Sequence, residues 1–467
     1  MMDDILKMGH LIRRAGFGES YQSLQRRTAI GTEETIRQLL DDAARPDDGS
    51  ADWILDFSRA ADPAGRLRPQ ALRPWWTYRM VTTDRPLQEK LTLFWHGHFA
   101  TSASKVNNAE LMLQQNRFLR DNALGNWRAI LKGMSRDPAM ILWLDNNTNY
   151  KAHANENYGR ELMELFSLGI GNYTENDVKE AARAFTGWNI QGQSFAFRAY
   201  EHDTGSKSFL GKAGNFDGDD IVDIILEQPA AAEFLARRMF TFFAYADPEP
   251  EVLDPIVGAF RESDLEIRAL LEAILHSKAF WSEKAVGTQI KSPVQLVVGS
   301  IRALHGGEAA EEQPGEVAMA SPSEKTIGRR RLQGPYGPAV QAMKNMGQDL
   351  FFPPNVKGWD GGPAWINSAT MLERINFASR IVTLLLTRAA GPGLVRTASI
   401  TSDPEAAVDA ILMNLGPLVL PTAVQRELLH TASGSTTGFA AVRPYQRTAG
   451  LRLSIALAMQ TPQYQLC

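Results

Sequence analysis

The stretch HANENYGRELMELFSLGIGNYTENDVKEAARAFTGW, residues 153–188, crowds Asn155, Glu156, Asn157, Arg160, Glu161 and Glu164 into one short segment. Read as a helix, it places Glu161 and Glu164 three residues apart on one face, with Asn157 four residues before Glu161 on the same stripe. Two carboxylates and an amide so arranged are suited to holding a cation, or to working as an acid and base pair. The apolar positions Leu162, Leu165, Phe166 and Leu168 turn this helix toward a core, and an acid near the interior needs a partner. The alternative is a surface helix stabilised by the i,i+4 pairs Glu156–Arg160 and Arg160–Glu164.

A second chemical feature is WHGHF at 95–99, which sets His96 and His98 on either side of Gly97. On a regular helix residues i and i+2 diverge by roughly 200°, so the two imidazoles share a ligand only if the helix end is extended at Gly97. Otherwise one histidine caps the helix and the other is a satisfied core residue. A third cluster, HDTGSKSFLG at 202–211, gathers His202, Asp203 and Lys207 around a turn, where a carboxylate beside an imidazole can fix its tautomer. A turn with no chemistry reads equally well.

Together these clusters offer His, carboxylate and amide ligands of hard or borderline character, suited to a divalent iron, manganese or zinc ion. The ligand set they imply is His96, His98, Glu161 and Glu164. In that scheme Arg160 neutralises an anionic group, and His202, oriented by Asp203, transfers protons, with Asn155, Asn157 and Lys207 as further polar candidates. The chain has no ExxH or HExxH spacing, no GxSxG, no GxxxxGK[ST] and no GxGxxG after a strand, which leaves di-iron, serine-hydrolase, P-loop and Rossmann schemes without support. The one cysteine, Cys467, excludes an internal disulfide and a cysteine zinc site.

The elements that must position these groups are helical. Apolar residues recur at three- and four-residue spacing along most of the 467 residues, and strand alternation is scarce. Residues 84–99 predict a buried helix with Asp84 as its cap and Pro86 in its first turn, and 109–134 and 220–245 give long helical patterns. Thr174 three before Asp177 is an approximate capping box for a second helix of the polar segment. SFAFRAY at 194–200, after the Gln191–Gly192 turn, suits a short β-hairpin around 189–200. Residues 306–336 read as a mobile loop, and 351–367, dense in Pro, Gly and Trp, as a rigid irregular segment over a pocket. The expected organisation is a helical core over 5–305, that loop, and a C-terminal helical portion over 337–467.

The net charge of -4 gives no electrostatic reason to expect nucleic acid, and the run Arg329–Arg331 is too short to change that. No apolar stretch is long enough to span a membrane. The N-terminus, MMDDILKMGHLIRRAGFG, carries aspartates where a secretory signal needs basic charge, so a cytoplasmic location is expected.

Five segments, HLIRRAGFG at 10–18, LFWHGHFATS at 93–102, NENYGRELMELFSLGIGNYTENDVKEAARAFTGW at 155–188, IKSPVQLVVGSIRAL at 290–304 and PPNVKGWDGG at 353–362, resemble the domain of unknown function 1800 family in sequence and in order, from His10 to about Leu384. The resemblance implies no settled activity. It implies a neighbouring partner protein that resembles the alkaline phosphatase and sulfatase superfamily, and many members look exported. The site positions it carries are those named above, with Trp188, Trp359 and the Pro353–Pro354 pair as pocket walls.

The leading expectation is a metal-dependent enzyme that hydrolyses or oxidises an oxygen-rich substrate, small or polymeric. One competitor is a metal-free carboxylate pair acting on a sugar. The other is a non-enzymatic helical partner or assembly protein, in which the polar clusters form a buried network. Convergence of His96, His98, Glu161 and Glu164 on one concave pocket separates the first from the last.

Overall fold

The computed structural model describes residues 2–305, 336–386, 403–433 and 444–467. The loop expected over 306–336 lies outside the described residues, except that Tyr336 opens the helix Tyr336–Asn345. The fold is mainly α, with two small two-stranded antiparallel sheets. The expected hairpin is present as Trp188–Gln191 paired with Ser194–Phe197, in a register that sets Trp188 opposite Phe197 and Gln191 opposite Ser194. A second pair, Lys207–Phe209 with Lys212–Gly214, follows it, formed by residues read from the sequence only as a turn.

Helix starts follow the local chemistry. Proline opens Pro69–Thr82, Pro86–His98, Pro229–Phe243 and Pro250–Glu262, where its missing N–H costs nothing. Pro229 also divides the 220–245 pattern into Gly218–Glu227 and Pro229–Phe243. The 109–134 pattern likewise breaks into Ala109–Asp121 and Trp127–Ser135, the second capped by the Asn126 side chain on Arg128 N. Thr174 and Asp177 form a reciprocal capping box on Glu175–Ala184. Asp84 does not cap Pro86–His98: Arg85 holds that position without a side-chain bond, and Asp84 pairs with Arg45.

Two apolar cores organise the helices. The first gathers Leu11, Trp95, Trp127, Phe166, Phe185 and Phe240. The second unites Ile54, Trp75 and Trp76 with Val297, Ile381 and Ile455, so the helices after residue 336 share a core with helices near the N-terminus. The helix Pro86–His98 serves both, giving Leu87, Leu91 and Trp95 to the first and Leu93 to the second. Its Glu89, fully buried, accepts from Trp76 Nε1 at 2.7 Å and from Arg120 Nε at 2.8 Å, and also pairs with Arg79. Burial alone would raise this carboxyl, but Arg120 and Arg79 hold it down at about 2.

Candidate functional site

The helix Pro86–His98 stays α-helical through Gly97, so the extended end that a ligand shared by His96 and His98 would require is not formed. His96 and His98 therefore diverge, as i and i+2 must. His96 accepts a hydrogen bond from Phe351 N at 3.1 Å, and its ring packs on Trp76 and Trp359. Burial lowers it to about 3, so it is a neutral core histidine. His98 turns the other way, with Nε2 3.0 Å from Phe166 O. A carbonyl only accepts, so Nε2 carries the proton, and Nδ1 keeps a bare lone pair with no partner. Burial pushes His98 well below the usual histidine range, the charge of Arg238 adds to this, and the bond to Phe166 opposes it.

The polar segment contributes through its backbone. Asn157–Glu161 is α-helical, but Leu162–Ser167 widens into a π-helix, a feature often found at functional sites. A helix end leaves carbonyls without intrahelical donors. Two of them are taken by the groups that matter here: Phe166 O by His98, and Leu165 O by Arg238 Nη1 at 3.3 Å. The segment thus seats His98 and Arg238 through its backbone.

Its acids and amides do not meet at one point. Glu164 accepts from the Tyr173 hydroxyl at 2.9 Å. Glu161 is half-buried and forms no ion pair; burial and the charge of Glu164 raise its carboxyl. Arg160 is held by Glu175 and Glu156, so it is not poised for a substrate anion. Asn155 folds the preceding turn, donating to Asp145 O and Thr148 Oγ1 and accepting from Asn157 N, while the Asn157 side chain is exposed.

The third cluster is structural too. His202 Nδ1 lies 2.9 Å from Thr186 O, whereas the Asp203 carboxylate pairs with Arg183, so Asp203 does not orient His202. Lys207 is buried with its ammonium on Asp203 O and Gly205 O. Among the described residues no three His, Cys, Asp or Glu side chains are grouped as metal ligands, and the set His96, His98, Glu161 and Glu164 is not brought together.

What His98 does reach is a cleft of about 680 Å³ between the helices Pro86–His98 and Pro229–Phe243, closed by the loop residues Thr288, Gln289, Ile290 and Ser292, by Gln295 in the first turn of the helix Pro293–His305, and by Trp359–Pro363. The segment over 351–367 is the pocket cover that its composition suggested. Gly358, at φ +85, passes so close to the helix that a Cβ there would meet Gly97 O at 2.7 Å. Of the expected walls, Trp359 lines the cleft and Trp188, Pro353 and Pro354 do not.

The sequence reading missed Arg238, Gln295 and Gln348, all on the wall. Gln295 Oε1 accepts from Ser292 N at 2.9 Å, and Gln348 Oε1 from Val294 N at 3.0 Å. Backbone N–H groups fix those oxygens as acceptors and leave each amide NH₂ as the remaining donor. Their signals were faint: an Arg pair within the apolar run FLARRMFTFF, and a glutamine two residues after the proline of IKSPVQ.

A mainly helical protein with two apolar cores and, among the described residues, a largely apolar cleft that carries a few polar side chains is thus the class that fold and site define. The chain belongs to the family described as protein of unknown function (DUF1800), whose model matches residues 10–466, beyond the span its motifs suggested. No curated protein and no solved structure matches it. Among the described residues no helix is long and apolar enough to cross a membrane.

Proposed function

We propose that the chain is an enzyme that binds an oxygen-rich ligand in the cleft beside His98 and uses His98 Nδ1 to accept a proton from a ligand hydroxyl or a water. The observation that carries this reading is the His98 side chain, which lines a cleft of about 680 Å³ and whose buried Nδ1 has no hydrogen-bond partner among the described residues. Buried polar atoms are ordinarily satisfied, and one left open beside a cavity is suited to a ligand. The wall supports an oxygen-rich ligand because its spare hydrogen-bonding groups are mostly donors: the amides of Gln295 and Gln348 and the guanidinium of Arg238. Trp359 and Trp365 add aromatic faces for the apolar side of such a ligand.

The metal-dependent version, with iron, manganese or zinc on His96, His98, Glu161 and Glu164, has no grouped ligands to support it. The carboxylate-pair version lacks a pocket, since neither Glu161 nor Glu164 lines the cleft.

The test is a thermal-shift screen of polyols, sugars and their esters against the purified chain, followed by turnover assays on the ligands that stabilise it. His98→Gln, which can still donate to Phe166 O, is expected to keep binding and lose turnover by about a hundred-fold or more. Equal turnover in the variant removes His98 from the chemistry, and binding without turnover in the wild type makes the cleft a binding module.

A further inference from the structure

We propose that the ligand of this cleft carries an oxyanion, seated on the Arg238 guanidinium next to His98; the inference rests on reading the cleft as the ligand site. Four charged side chains line the cleft, and they are not equivalent. Arg237 is neutralised by Glu233 at 2.8 Å, and Asp360 by Lys357 at 2.6 Å. Asp247 is exposed, so water screens it. Arg238 is the exception: it has no carboxylate partner among the described residues, and its surroundings desolvate it enough to lower its pKa.

A helix-capping role accounts for only part of that side chain. Capping Leu165 O uses one N–H of Nη1, at 3.3 Å, while a guanidinium has five. Phe234 stands 5.6 Å from its centre and offers a ring face but no acceptor. A half-buried cation on the cleft wall with most of its donors unspent lacks a counter-charge among the described residues, and a planar fork of this kind pairs best with a carboxylate or with a sulfuryl or phosphoryl group.

The neighbouring imidazole makes the placement consequential. Arg238 disfavours a proton on His98. An anion bound on the guanidinium cancels that repulsion and adds attraction, so its arrival raises the basicity of Nδ1. Binding of the anionic end of the ligand would thereby prepare the base for the hydroxyl end.

The test compares ligands that share a polyol frame and differ in charge. Glucose, glucuronate and glucose 6-sulfate are titrated by calorimetry into the full chain at low salt, with inorganic sulfate as a further probe. At least one anionic sugar is expected to bind about ten-fold or more tightly than glucose, and which one does so separates carboxylate from sulfuryl recognition. In Arg238→Gln that advantage should vanish, so that the anionic sugars bind no more tightly than glucose does to the same variant. ¹⁵N NMR of the imidazole should show the His98 pKa rising when the anion binds to wild type and not in the variant.

Equal affinity for glucose and both anions overturns the inference and leaves the cleft reading standing. Undiminished anion binding by folded Arg238→Gln overturns it too. No binding of any probe, with Trp359→Ala equally silent, counts against both readings.

Discussion

Glu161 shows how spacing can mark a residue without revealing its task. The sequence places it beside Glu164 on one helix face, and the structure keeps the two charges close enough to interact. A half-buried carboxylate whose pKa is raised by burial and by a like charge is a small liability: its folded-state contribution is favourable only at low pH and is lost as pH rises through its raised pKa. Glu161→Gln is therefore expected to leave stability within about 0.5 kcal/mol of wild type or to increase it slightly at neutral pH, read by urea denaturation. A loss of several kcal/mol would reveal a partner for Glu161 and restore the buried-network reading. His98 was legible from the sequence as a residue of interest, because histidines are scarce and cluster in WHGHF. Its lone pair and its guanidinium neighbour were not, since Arg238 lies 140 positions further along the chain and only the packing of helix against helix brings them together.

At the scale of the element, helices, caps and the first hairpin were readable because they depend on neighbours in sequence: the Thr174–Asp177 box and the proline starts are examples. The π-helix at Leu162–Ser167 was not, because widening by one residue leaves the apolar spacing nearly unchanged while redirecting the carbonyls that seat His98 and Arg238. The 351–367 segment lies between these cases. Its Pro, Gly and Trp content announced a rigid cover, and Gly358 shows the physical reason, a left-handed backbone pressed on Gly97 O. Gly358→Ala meets both strain and a 2.7 Å contact, so it is expected to cost about 1–3 kcal/mol and to lift the cover from the helix. A lower melting temperature together with a shifted Trp359 emission would show this. Unchanged emission and stability would mean that the cover does not depend on that close approach.

For the whole molecule, the decisive buried charges sit side by side on a helix that serves both cores. Glu89 joins Trp76 of the second core to Arg120, beside Leu119 of the first, and Arg79 completes the group. Removing its charge leaves the buried Arg120 guanidinium without its counter-ion, while Arg79 keeps Asp47, so Glu89→Gln is expected to destabilise by about 3–5 kcal/mol in thermal unfolding. Because its folded pKa of about 2 lies below the unfolded value near 4.5, its contribution is complete above that value and fades as pH falls toward 2. Lys90, the next residue, works in the opposite direction. Its ammonium is fully buried, has no hydrogen-bond partner among the described residues, and stands 5.3 Å from the ring of Phe242, which lines the cleft. Burial lowers it to about 7, an effect that Cys467 opposes and Arg14 reinforces. Between about 7 and the unfolded value of 10.5 the unfolded chain binds a proton that the native chain lacks, so this residue makes stability rise with pH across that window. Lys90→Met, which keeps the length and removes the charge, is expected to flatten that rise and to raise stability at pH 7. Denaturation midpoints measured from pH 6.5 to 10.5 test it, and a variant with the wild-type slope would show that Lys90 stays protonated in the native protein, paired with an anion inside the fold.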